Sequence, residues 1–407
     1  MERFGGPPAA VTDPAPRFVS ALVPALLFVN TAGSMCVLLR LSTQVGDDTG
    51  SGLLAGAVLS APWLPALVLA GLLHRILAER PPGRLILAVE AVSLGLTAAL
   101  AAVPAADHLL VRVAVAVLLV RGFFEAVTRS AASVLLRLTV PGDRLGRANT
   151  LAEIGRLAGT SAGAALAQPL GALLPLRAFF LLNAGTLACS VLVARALPRT
   201  GPAAAGGERA TGCRVAVGLI AGDPVLRRLF ALFLLVAFWQ GFHTIAVTVV
   251  PRELLDGGTS LVGVFVALSA VAVFAGSFAA LPVQRHLARL PVETWAIVPM
   301  LPLLGAVLLA RTGPTLASYA AFLVLFEVAY VVFNNLLLGR ARPEEVPAVV
   351  TVRATLLPLG VVVSILAVGL LTDLTGPLFA TVAVAGVTLA VVAAGRVGSS
   401  PPVRSGV

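Results

Sequence analysis

Residues 315–339 read TLASYAAFLVLFEVAYVVFNNLLLG, and Glu327 is the one charged residue among them. The hydrocarbon core of a bilayer is about 30 Å thick, so a helix rising about 1.5 Å per residue crosses it with about 20 mostly apolar residues. This stretch is long enough, and it is one of twelve. The others run over 18–40, 52–73, 84–104, 109–137, 147–171 and 174–197, then 225–250, 258–281, 293–312, 347–371 and 375–395. They fall into two sets of six on either side of an interruption at 198–224. A water-soluble core would need amphipathic helices with long polar faces. Here 58% of residues are hydrophobic and 12% charged, with a mean hydropathy of +0.99. A membrane β-barrel would alternate polar and apolar residues, whereas these runs are unbroken Leu, Val and Ala. The expected fold is an all-α membrane protein of twelve transmembrane helices. Its parts are an N-terminal tail (1–17), a six-helix bundle (18–197), a linker (198–224), a second six-helix bundle (225–395) and a C-terminal tail (396–407).

Charge placement encodes topology. The net charge is +10, and all 29 basic residues are Arg. A basic chain can indicate nucleic acid, but these charges are scattered through short loops rather than gathered on a face. With the N-terminus in the cytoplasm, twenty Arg fall in cytoplasmic loops, tails and linker. Five (Arg40, Arg112, Arg177, Arg252, Arg311) fall outside, and four (Arg121, Arg129, Arg156, Arg353) fall within spans. Positive charge favours the cytoplasmic side, so both termini and the linker are expected there, in a multi-pass protein of the cell membrane. The first apolar stretch lacks a small-residue cleavage site and reads as a retained helix. The linker is rich in Pro, Gly, Ala and Arg, as a flexible connection is, and its end, 215–223, is suited to a short surface helix.

Enzyme chemistry finds no support. Without Lys there is no phosphate-binding Gly-rich loop ending in Lys, which removes ATP-driven transport within this chain. His74, His108, His243 and His286 do not share a helix at metal spacing. Cys36, Cys189 and Cys213 have no metal or disulfide pattern. No metal, cofactor or catalytic residue is expected.

The chain repeats itself. At an offset of 202, Phe124-Glu125 falls on Phe326-Glu327, Pro141 on Pro343, Asp143 on Glu345 and Pro175-Leu176 on Pro377-Leu378. At 210, Leu77-Ala78 and Pro81 fall on Leu287-Ala288 and Pro291. Two like halves of six helices joined by a cytoplasmic linker resemble the major facilitator superfamily. That resemblance implies a substrate site near the midplane between the halves, exposed alternately to either side.

Local motifs refine the resemblance. Span 5 places Gly155, Gly159 and Gly163 four apart, continued by Ala167 and Gly171. Such a stripe lets another helix backbone approach closely. It is also similar to the family's antiporter motif, with Thr160 where Pro is usual, Ala164 where Gly is usual, and Leu166. This implies the drug/proton antiporter-like branch and export. The loop between spans 2 and 3 departs from the family pattern. Gly71 is followed four residues later by Arg75, with Arg80 and Arg84 beyond, and the usual Asp is missing. Asp143, Glu344 or Glu345 is expected to serve the cytoplasmic latch instead.

Ionisable residues inside a span are costly and usually face the bundle interior or a wet cavity. On span 4, Arg121, Glu125 and Arg129 are four apart and share a face. Span 5 adds Glu153 and Arg156. Counting about 1.5 Å per residue, the depths match for Arg129–Glu153 and Glu125–Arg156 pairs. These either hold two helices together or take part in proton coupling. The family's fourth helix often carries a proton-linked Arg, and Arg121 is the nearest match. Glu327 has no Arg near it on its own helix, which suits a proton carrier or a site for a cationic solute. Further polar candidates for the cavity are Asn30, Gln240, His243, Asn334 and Asn335, with Trp63, Phe238, Trp239 and Phe242 adding aromatic surface. Glu90, on the peripheral span 3, is expected to snorkel or pair locally.

The expected function is proton-coupled export of a small hydrophobic or amphipathic organic molecule by a monomer, with the bilayer, protons and the solute as partners and no nucleic acid. An uptake symporter of the same fold, or a sensor or assembly partner that no longer transports, are the alternatives.

Overall fold

The computed structural model describes residues 15–49, 58, 61–102, 107–201, 213–257, 259–287, 289–342 and 345–397. Residues 1–14, most of 50–60, linker residues 202–212, Glu344 and the tail beyond 397 lie outside them.

Each predicted span has a helical counterpart, and among the described residues there is no strand. Span 1 is Ala15–Thr49. Span 2 is a short turn at Ala61–Trp63 followed by Leu64–Val68 and Ala70–Glu79, so it runs past the expected end at 73. Spans 3 to 6 are Pro82–Ala102, Asp107–Thr139, Gly142–Leu173 and Leu176–Arg195. A short helix, Cys213–Gly222, precedes span 7, Pro224–Val249. Span 8 is Thr259–His286. Span 9 is interrupted at Val298-Pro299, giving Thr294–Ile297 and Met300–Leu308. Span 10 is Thr312–Arg340. Spans 11 and 12 form one run, Val346–Val397, broken only at Gly376.

Sequence chemistry explains these boundaries. Asp223 accepts hydrogen bonds from the Val225 and Leu226 N–H groups at 2.8 and 3.2 Å, and Pro224 opens the helix where its missing N–H costs nothing. Gly376 has φ +82°, a conformation that costs a side chain about 1–2 kcal/mol. The Pro175/Pro377 coincidence now has a meaning: both residues start the last span of their half. Of the prolines inside spans, Pro62 and Pro299 coincide with interruptions, whereas Pro24 and Pro358 sit in continuous helix.

Packing repeats in the two halves. Span 1 lies on span 5, and span 7 on the 346–397 helix; span 2 lies on span 4, and span 8 on span 10. The halves meet where span 5 touches span 8 and span 2 touches the 346–397 helix. The peripheral helices leave Leu181, Leu192, Leu301, Leu308, Leu374 and Phe379 exposed, an apolar outer surface that lipid solvates.

Candidate functional site

Between the halves lies a cavity of about 620 Å³. Its walls come from spans 1, 2, 4 and 5 on one side and 7, 8, 10 and 11 on the other. The lining is mainly Ala, Leu, Val and Pro, with charge confined to Arg129, Glu153, Arg156, Glu327 and Arg353.

One end is held shut by hydrogen bonds between the halves, at the end where the Arg-rich loops lie. Asn335 Nδ2 donates to the Gly146 carbonyl at 3.2 Å and to Thr150 Oγ1 at 3.1 Å. Gln284 Nε2 donates to the same hydroxyl at 3.0 Å. Arg137 Nη2 donates to the Ala341 carbonyl at 3.1 Å, and Arg353 Nη2 to Ser133 Oγ at 3.3 Å. Two of the acidic residues expected to latch this end do other work. Asp143 lies 3.7 Å from its neighbour Arg144 at the surface, and Glu345 accepts from the Arg342 N–H at 2.9 Å. Glu344 is outside the described residues. In the loop after span 2, Arg75 is 3.3 Å from Glu79, and Gly71, Arg80 and Arg84 are exposed. Asp223 pairs with Arg340 at 3.5 Å within the second half. Partial burial opposes its ionisation, but the Leu226 and Val225 N–H groups and Arg340 outweigh it and hold this carboxyl below the usual range.

Glu327 is the carboxylate that faces the cavity from the second half. It is 3% exposed and accepts a hydrogen bond from Ser277 Oγ at 3.1 Å. Gly276 makes this possible, since a Cβ there would come within 2.8 Å of the Glu327 Cβ and 2.6 Å of the Val324 carbonyl. Among the described residues no cation lies in ion-pair contact with Glu327. Glu153 and Arg156 face it from span 5.

The expected cross-helix pairs do not form. Arg156 instead pairs with Glu153 three residues away on its own helix, with Nε at 2.9 Å from Oε1. Arg121 lies 3.8 Å from Glu125 on its own helix. An i,i+3 or i,i+4 pair needs only rotamer choice, whereas a cross-helix pair also needs the helices rotated to face each other. Arg129 Nε donates to the Glu125 carbonyl at 3.4 Å. Arg121 is buried against Ser34 Oγ at 2.7 Å, and neither Arg121 nor the partly exposed Glu125 belongs to the cavity lining.

Asn30 and Glu90 are also displaced from their expected places. Asn30 Nδ2 donates to both Glu90 carboxylate oxygens at 2.8 Å, and Thr128 Oγ1 donates to Oε1 at 2.7 Å. Glu90 is 1% exposed, so it does not snorkel. It ties spans 1, 3 and 4 together, and Asn30 is spent on it rather than on the cavity.

Aromatic residues divide likewise. Trp239 is fully buried and donates to Thr388 Oγ1 at 3.0 Å. Phe242 stacks edge-on to Phe322. Phe238 gives its carbonyl to Ser364 Oγ at 2.7 Å. All three pack the second half. Trp63's backbone lies beside the cavity residues Pro62 and Ala66, but its side chain is outside the description. Gln240 and His243 do line the cavity, His243 with Nδ1 2.6 Å from the Tyr319 hydroxyl. Asn334 lines it and receives Arg353, while Asn335 serves the closed end.

The span 5 stripe has a packing role. A Cβ on Gly155, Gly159 or Gly163 would strike the carbonyl of Pro24, Phe28 or Ala32, three residues also four apart, on span 1. Thr160 and Ala164 turn to the cavity, and Leu166 is exposed.

Sequence reasoning missed Asn149, Ser133, Tyr330 and Ser277. Asn149 precedes Glu153 by one helical turn and Tyr330 follows Glu327 by three residues, so helical periodicity alone put both on the right faces. Ser277 had no such signal.

Helices enclosing a central cavity between two like halves define a polytopic membrane protein of the transporter class. The model of the Major Facilitator Superfamily matches residues 25–339, and the chain belongs to that family. Among solved structures the chain is similar to the E. coli fucose:proton symporter FucP (TM-score 0.73, 13% identity, 94% of this chain and 98% of that one). It is also similar to the human organic anion transporter MFSD10 (0.69, 15%, 93% and 99%). A third is a bacterial homologue of the iron transporter ferroportin in an outward-facing state (0.69, 12%, 94% and 99%). At these identities the likeness concerns the fold. No curated protein matches the chain.

Proposed function

We propose that this chain is a proton-coupled secondary transporter of a small amphipathic organic molecule, working by alternating access, with Glu327 as the proton-carrying group. The observation that carries this is a buried carboxylate on the cavity wall held by one hydroxyl rather than by a cation. A carboxylate in such a place gains and loses a proton as its exposure changes. The apolar lining suits a solute with an apolar body. Positive charge in the loops supports an orientation with the closed end, both termini and the linker toward the cytoplasm of a cell membrane, which makes the described state open to the outside.

Export in exchange for protons, the drug/proton antiporter reading, is the second possibility, favoured by the span 5 motif. Its glycines also serve the contact with span 1, so flux direction must be measured. The test is reconstitution in proteoliposomes with an imposed pH gradient and a panel of amphipathic solutes, reading internal pH with a trapped dye. Solute-dependent proton movement supports coupling, and its sign separates symport from exchange. A chain that binds solutes yet moves neither them nor protons under any gradient is a sensor, and the proposal fails.

A further inference from the structure

The charges in the cavity are layered, and the layers point to the chemical class of the solute. Counting about 1.5 Å per residue from the closed end, Asn149 and Arg353 lie about 10 Å in and Arg129 about 15 Å. Glu153 follows at about 16 Å, and Glu327 and Arg156 at about 20 Å. The floor of the cavity is therefore made of the donors Asn149 and Arg353, with Arg129 and Glu153 level with each other above it and Glu327 and Arg156 higher still.

Two features of that floor are unusual for a resting structure. Among the described residues the hydrogen-bond acceptors of Arg129 and Arg353 are neutral oxygens: the Glu125 carbonyl for the first, Asn334 Oδ1 and Ser133 Oγ for the second. The Glu125 and Glu153 carboxylates act on Arg129 from beyond ion-pair contact. Arg129 and Arg353 are both half-buried, and a guanidinium withdrawn from water is ordinarily matched by a carboxylate. Independently, Asn149 is 6% exposed, lines the cavity, and its Nδ2 has no hydrogen-bond partner among the described residues. Among the described residues these three donors of the cavity lining, two of them cationic, have no carboxylate in hydrogen-bond or ion-pair contact. The lining carries three Arg against two Glu, so the cavity holds one net positive charge with both carboxylates ionised and two when Glu327 is protonated.

We propose that the solute is an organic anion, a carboxylate or sulfonate with an apolar body, whose headgroup sits on Arg129, Arg353 and Asn149, and that it loads together with the proton on Glu327. Both oxygens of such a headgroup can accept from a guanidinium at once. The apolar body extends past Leu357 and Val361 toward Met35 and Val247 on the open side. The titratable and charged groups around Glu327 are Glu153 and Arg156 from span 5, Arg129 from span 4, His243 from span 7, Tyr330 on its own helix and Arg353 from span 11. Protonating Glu327 removes a negative charge above the headgroup, and an anion below it favours the protonated form. Proton and solute then help each other bind and travel in the same direction, which makes the chain a symporter and not an exchanger. This rests on the proposed role of Glu327, but the preference for anions does not.

The test measures binding to the purified full chain in nanodiscs, using 4-phenylbutyrate, 4-phenylbutanesulfonate, 4-phenylbutylamine and 4-phenylbutanol as matched probes. Between pH 6 and pH 8 both acids stay ionised and the amine stays protonated. The anions are expected to bind at least about tenfold more tightly than the amine and the alcohol, the discrimination a charged hydrogen bond supplies. Arg129→Gln and Arg353→Gln should each erase most of that difference, while Arg129→Lys retains it in part. Raising the pH from 6 to 8 should weaken anion binding, and Glu327→Gln should bind the anion at pH 8 as tightly as the parent does at pH 6. Anions that bind no better than the amine and alcohol overturn the assignment. A preference for anions with no dependence on pH or on Glu327 overturns the linkage alone. Accumulation by Glu327→Gln under a pH gradient would instead remove Glu327 from the proposed transport mechanism and leave the anion preference standing.

Discussion

Glu327 and Glu125 occupy equivalent places in the repeat, yet the fold uses them differently. Glu125 has Arg121 at 3.8 Å and is not part of the cavity lining, while Glu327 opens onto the cavity with a serine for company. Replacing Glu327 with Gln keeps the Ser277 contact possible and removes only the titrating oxygen. Solute accumulation against a gradient should then vanish, while exchange of solute at equal concentrations persists and the protein purifies normally. Replacing Glu125 with Gln takes away the carboxylate that pairs with the buried Arg121 guanidinium at 3.8 Å, and removing one partner of a buried pair is costly. Reduced yield and a lower melting temperature are expected there, measured by fluorescence-detected size exclusion on heating. A Glu327→Gln protein that still accumulates solute would refute its role.

At the level of single helices, glycine placement decides which backbones can touch. The Gly155, Gly159 and Gly163 stripe and the Pro24, Phe28 and Ala32 carbonyls form one seam. A bulky residue forced into such a contact costs about 1–3 kcal/mol, or more where backbone must move. Gly159→Leu should therefore destabilise the first half markedly, whereas Gly71→Ala, with open space around it, should not register in a thermal melt. Gly376→Ala tests a different cause. Nothing lies near its Cβ, so a loss of about 1–2 kcal/mol would come from the positive φ alone. Hydropathy made the helices legible, because lipid demands long apolar runs of every one of them. The seam was legible too, since a period of four is a face. Rotation of each helix was not, and this is why Asn30 was set in the cavity instead of on Glu90 and why Arg156 was paired with Glu125 instead of Glu153. Apolar residues all round a span leave no amphipathic stripe to orient it.

For the whole molecule, alternating access requires that the closed end come apart. Thr150 and Asn335 approach across the two halves, with 3.1 Å between their polar side-chain atoms. A Thr150→Cys/Asn335→Cys variant in a background free of Cys36, Cys189 and Cys213 should cross-link on mild oxidation. Transport should stop when the bridge forms and return on reduction. Continued transport by the cross-linked protein would mean that this end does not open. Orientation has its own measurement: with Cys36 and Cys189 removed, an impermeant thiol reagent outside intact cells should fail to label Cys213.

The hydrogen bonds that hold the closed end have neutral acceptors, and the three from Gln284 and Asn335 have neutral donors as well. Mobile ions weaken exposed pairs of opposite charge within a Debye length, about 8 Å at physiological ionic strength. Amides bonded to hydroxyls and carbonyls carry no net charge for those ions to screen. The balance between closed and open ends should then stay nearly constant from dilute medium to strong brine. A cell meeting sudden changes in salinity would keep the same gate.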